Sequence, residues 1–77
     1  MTFFEYATEH YINDDSAKGD FVRDMQSDQF MQCSPKLKKF SILGHLYKEG
    51  ASIEAIAAFE SIWDEYMGIK RHETEEI

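Results

Sequence analysis

The stretch Ser52–Gly68, SIEAIAAFESIWDEYMG, decides the fold. Ile53, Ile56, Ala57, Phe59, Ile62, Trp63, Tyr66 and Met67 trace one apolar face through it. They recur at three- and four-residue intervals, the period of one helix face, and no alternating pattern competes. Ser52 stands where a helix N-cap belongs, Glu54 falls in the first turn, and Gly68 marks an expected end. A helix over 53–68 follows, with a wide apolar face that must be covered by other elements.

The rest of the chain supplies those elements. TFFEYATEHYI predicts a first helix over 2–12, because Thr2 and Glu5 have capping-box spacing and Phe3, Phe4, Ala7, Tyr11 and Ile12 form a stripe that Tyr6 flanks. NDDS then predicts a turn and a second helix over 16–28, with Ala17, Phe21, Val22 and Met25 inward. Gly19 is expected to weaken that helix by about 1 kcal/mol relative to alanine. The connector SDQFMQCS carries Phe30 and Met31, both expected against the core. Ser34-Pro35 predicts the start of a third helix over 35–49, because proline loses nothing at the first helical position. Leu37, Phe40, Leu43 or Gly44, and Tyr47 trace its expected inner face, with Ile42 and Leu46 beside it, and Gly50 is its expected stop. No run reads as a strand. The expectation is a compact all-α bundle of four short helices, or five, in one domain over 1–68, followed by a charged, frayed tail over 69–77.

The chain has 77 residues, of which 43% are hydrophobic and 14% aromatic, above what a disordered acidic segment carries. At this length only about 60% of the unfolded surface is buried, so the core is small. A single cysteine, Cys33, cannot form an internal disulfide. No apolar run approaches the roughly 20 residues of a membrane helix, and no leader is visible. A cytoplasmic protein without a membrane partner is expected.

The net charge of −7 is unevenly placed. Residues 1–33 carry seven acids and two bases, and 51–77 carry the same. Residues 34–50 carry one acid and four bases, Lys36, Lys38, Lys39 and Lys48. Three of these lysines crowd a predicted helix start, the positive end of the helix dipole, where local energetics favour acids instead. They are the candidate anion- or partner-binding residues, through lysine and helix N–H groups together.

Other constellations lack parts. Asp14 to Asp20 (DDSAKGD) suggests a calcium loop, but Lys18 and Met25 occupy positions that need oxygen ligands. His45 and Glu49 have ligand spacing without a third ligand, and Cys33 has no base held against it. No phosphate loop or nucleophile motif occurs. The reading is therefore a protein that is not an enzyme, with no metal and no cofactor.

The order of features resembles the YozE-like family. The resemblance rests on TFFEY with Phe3, Phe4 and Tyr6, on an acidic second helix and an aromatic connector, on LYKEG, and on AFESIWDEY with Phe59, Trp63 and Tyr66, and spans about residues 2–66. It implies a four- to five-helix fold of the sterile-alpha-motif-like kind and implies no activity. The separated Phe30 and Pro35 and the lysine-rich third helix depart from that family's pattern.

Three functional classes remain. The first is a protein-interaction module, acting through the wide face of the helix over 53–68 or by self-association of the basic island with an acidic flank. The second is weak nucleic-acid binding through Lys36, Lys38, Lys39 and Lys48, opposed by the net charge. The third is acidic DNA mimicry. A protein partner is the leading expectation, with the chain a monomer or weakly self-associating.

Overall fold

The computed structural model describes residues 2–33 and 38–75. It is all-α: α1 Phe3–Tyr11, α2 Ala17–Met25, α3 Gln29–Cys33, α4 Lys39–Lys48 and α5 Ile53–Glu75. None of these helices is long and apolar enough to cross a membrane.

Helix α1 starts where its capping box requires. The Glu5 N–H donates to Thr2 Oγ1 at 3.1 Å and the Thr2 N–H donates to Glu5 Oε1 at 3.0 Å. Helix α4 ends in a Schellman turn: Gly50 adopts φ +76°, the Gly50 N–H reaches Tyr47 O and the Ala51 N–H reaches Leu46 O. This is the left-handed position for which glycine is the ordinary choice. The Ala55 N–H donates to Ser52 Oγ at 3.1 Å, which caps α5 as expected.

Helix α5 packs against α2, α1 and α4. Phe59 and Ile62 are fully buried, joined by Ala58 and Tyr66. Phe3, Tyr6 and Ala7 come from α1, Phe21, Val22 and Met25 from α2, Met31 from α3, and Ile42 and Leu46 from α4. Phe3 lies within 5.4 Å of Phe59 and 5.1 Å of Trp63, centroid to centroid, in the edge-on and tilted geometries that aromatic rings favour.

Several expectations are corrected. The connector contains a helix, α3, whose start is held by the Phe30 N–H donating to Asp28 Oδ1 at 3.0 Å. Met31 tucks inward as expected, but Phe30 stays outside the core, 38% exposed and stacked on His45. The helix expected over 35–49 begins at Lys39: Lys38 is its N-cap, with extended backbone at ψ 158°, and makes no side-chain cap. The expected Ser34-Pro35 start lies outside the described residues, as do Lys36 and Leu37. The inner face of α4 is rotated from the expected one. Ile42 and Leu46 enter the core, whereas Phe40 and Tyr47 are 80% and 66% exposed. Ile53, counted with the apolar face of α5, is also exposed. Helix α5 continues through Gly68 to Glu75 instead of ending there. In α2, Gly19 is not a mere weak point, because it is buried beneath the carbonyl of Asp14.

Candidate functional site

Helix α4 carries two apolar faces. Ile42 and Leu46, four residues apart, hold it to the core, and Leu43 is half-buried at the border. Phe40 and Tyr47 are seven residues apart, two turns or about 10 Å along the axis, and so share a second face. Between them lies Gly44, exposed and with open space where a side chain would stand. The outer face is thus two projecting aromatic rings separated by bare backbone.

Of the candidate lysines, Lys36 lies outside the described residues and the other three are spread along this helix. Lys38 is exposed at the N-cap, Lys39 is half-buried in the first turn, and Lys48 is exposed in the last turn. Lys39 and Lys48 are separated by nine residues, about 14 Å. The structure therefore does not bring Lys48 to the helix start with the others. Ion pairs among the described residues join Lys18 to Glu65, Arg23 to Asp20 and His45 to Asp28, and none engages Lys38, Lys39 or Lys48. The basic charge flanking the outer face is left for solvent or a partner.

A second constellation was not anticipated. Glu65 receives the hydroxyls of Tyr6, at 3.2 Å, and of Tyr11, and the Nζ of Lys18 at 2.9 Å. Lys18 also stands 5.1 Å from the centre of the Tyr11 ring. Partial burial opposes the charge on Glu65, but the donors from Tyr11, Lys18 and Tyr6 prevail and hold its carboxyl below the ordinary value of 4.5. The bond to Glu65 pushes Lys18 upward; burial and then that same carboxylate raise Tyr6, and the bond to the carboxylate and then burial raise Tyr11. Every shift runs away from neutrality. The cluster therefore offers no group poised to exchange a proton near pH 7, as acid–base chemistry needs. It acts as a clamp tying α1, α2 and α5 together.

The clamp gives a pH dependence at both ends of the scale. Glu65 is stabilised in its charged form, so its contribution is complete above 4.5 and is lost as pH falls through the lowered folded value. Tyr6, Tyr11 and Lys18 have raised values, so theirs is complete below about 10 and is lost as pH rises through the raised ones. Replacing Glu65→Ala is expected to cost about 1–2 kcal/mol, the low end for lost charged hydrogen bonds because Glu65 is partly open to water. Thermal unfolding followed across pH should show the variant with a shallower loss of stability below pH 4.5 than the unmodified chain. Parallel acid limbs would refute the assignment.

His45 Nε2 lies 2.6 Å from Asp28 Oδ2, with the Phe30 ring stacked on the imidazole at 4.1 Å. A carboxylate-oriented imidazole is one half of a nucleophilic site. Here it joins α4 to the turn before α3, and no described side chain hydrogen-bonds its other nitrogen. Among the described residues no three His, Cys, Asp or Glu side chains are grouped to hold a metal ion. The Asp14–Asp20 stretch is instead a turn leading into the first turn of α2: the Ser16 N–H donates to Asp14 Oδ1 at 2.8 Å and holds that carboxyl below its usual range, while Ser16, the N-cap, makes no side-chain cap bond.

An open groove of about 550 Å³ runs between the α1–α2 turn and the first half of α5. It is lined by Ala17, Ala57 and Ala58 together with the polar or charged Asp14, Ser16, Lys18, Glu54 and Ser61 and the ring of Tyr11. No residue of α4 lines it. No protein-family model matches the chain, and no curated protein or solved structure is significantly similar to it.

Proposed function

We propose that this chain is a small non-catalytic interaction module of the cytoplasm that binds a protein partner through the outer face of α4. The observation that carries the reading is the pair Phe40 and Tyr47, 80% and 66% exposed on one face of a helix whose other face is already committed to the core. Single exposed apolar residues are ordinary, but two aromatic rings in helical register form an anchor pair of the kind that docks into a partner's groove. The unpaired lysines beside them would select an acidic partner and speed encounter. The YozE-like likeness belongs to the same proposal and adds no activity to it.

The double variant Phe40→Ser/Tyr47→Ser tests this reading. Both side chains lie outside the core, so unfolding should stay within about 0.5 kcal/mol of the unmodified chain. Used as paired baits in extracts of the source cells, the two forms should differ in at least one protein retained by the unmodified chain and by a Glu60→Gln control. Identical retention by all three baits would refute the α4 reading.

The second reading, nucleic-acid binding, is favoured by one observation: Lys38, Lys39 and Lys48 border exposed aromatic rings, the composition of a single-strand platform. The net charge of −7 works against it. Labelled single-stranded DNA and RNA should therefore show no binding at physiological salt. Binding that persists there and disappears with Lys38→Glu/Lys39→Glu would replace the protein-partner reading with this one.

A further inference from the structure

We propose that the groove beside α5 receives the outer face of α4 from a second copy of this chain, so that copies join head to tail. The proposal rests on the α4 reading and names its partner. The two surfaces match in length. Phe40 and Tyr47 are two turns apart on α4, and Glu54, Ala57, Ala58 and Ser61 span two turns on α5 along the groove. They match in shape, since the ridge projects two rings and the groove is an open space whose lining includes three small alanines, Ala17, Ala57 and Ala58.

They also match in charge. Among the described residues Lys39 and Lys48, which flank the ridge, and Glu54 in the groove have no ion-pair partner; the groove also carries Asp14, whose Oδ1 accepts the Ser16 N–H, and Lys18, whose charge is already met by Glu65 at 2.9 Å. Within one molecule the surfaces do not meet, because α4 lines no part of the groove and its two rings are exposed. Two α4 faces pressed together would instead bring lysines against lysines, which opposes a symmetric dimer. A contact between two different patches leaves one of each free at the ends, so it grows into open chains or closes into a ring. Its modest extent places it among weak, concentration-dependent associations.

Sedimentation velocity tests it, from about 10 μM to about 1 mM, the range in which a contact of this size populates both states. The ridge variant is Phe40→Ser/Tyr47→Ser. The groove variant is Ala57→Arg, at an exposed position, with Glu54→Lys as a second form should the arginine disturb α5. The unmodified chain should gain mass with concentration and lose that gain at high salt. Each variant alone should remain monomeric with unchanged helicity. An equimolar mixture should form a dimer and grow no further, because the ridge variant keeps its groove and the groove variant keeps its ridge. A monomer throughout overturns the proposal and leaves the α4 reading to the extract experiment. Association abolished by the ridge variant but not by either groove variant also overturns it, while leaving α4 as a contact face. Association that needs the groove but not the ridge overturns both.

Discussion

Gly19→Ala should destabilise the chain by about 3 kcal/mol, against the gain of up to about 1 kcal/mol that helix propensity alone assigns to it. A methyl group at Gly19 would stand 1.7 Å from the carbonyl oxygen of Asp14 and 2.6 Å from its carbon. Both are backbone atoms, so no side-chain rotation relieves the overlap. Nor is the Asp14 carbonyl free to move, since Arg23 Nη1 donates to it at 2.8 Å and to Ile12 O at 3.1 Å, while Nη2 holds Asp20 at 2.6 Å. Relief requires lifting the whole α1–α2 turn from α2 and breaking those bonds. For a domain of this size the expected loss corresponds to a fall in Tm of about 15 °C. Differential scanning calorimetry reads it directly, and an unchanged or raised Tm would refute the packing described at this turn.

That example marks where the sequence is legible. Helices α1 and α5 could be read because cap, period and apolar face agree, and each local choice supports the fold. Helix α4 was misread because it offers two stripes of helical spacing. Phe40 with Tyr47 looks like the stronger core pair, and Ile42 with Leu46 the weaker. Packing decides otherwise, since Phe3, Phe21, Phe59, Trp63 and Tyr66 already fill the small core with rings and leave room on that side for aliphatic groups. No local pattern contains that information. The Glu65 clamp is hidden for a related reason, because Tyr6, Tyr11 and Lys18 reach Glu65 across 59, 54 and 47 residues. One trace existed: Glu65 stands three residues after Ile62 and next to Tyr66, a carboxylate at the edge of a buried stripe, which calls for donors. The lysine cluster was legible as composition only. Its arrangement along α4 depends on the helix starting at Lys39 with Lys38 as N-cap, which leaves Lys48 in the last turn.

Phe59→Ala and Phe40→Ala make the same chemical deletion and should have opposite outcomes, which separates the residues that make the fold from those that serve it. Phe59 is fully buried, with its ring 5.4 Å from Phe3, 6.0 Å from Phe21 and 5.8 Å from Trp63. Removing it forfeits the transfer of the ring from water and leaves a cavity between three helices, at a cost of about 3–5 kcal/mol. Domains of this length hold about 4–12 kcal/mol in total, so the variant should lose at least about a quarter of its stability. Phe40 is exposed and touches no core ring, so its deletion should move stability by less than about 0.5 kcal/mol. Urea unfolding followed by Trp63 fluorescence measures both, because Trp63 lies against Phe59 and Phe3. If Phe40→Ala costs as much as Phe59→Ala, then Phe40 belongs to the core and the α4 contact face does not exist. If Phe40→Ala is neutral, Phe40 has no part in the fold, which is the condition the proposed α4 contact requires.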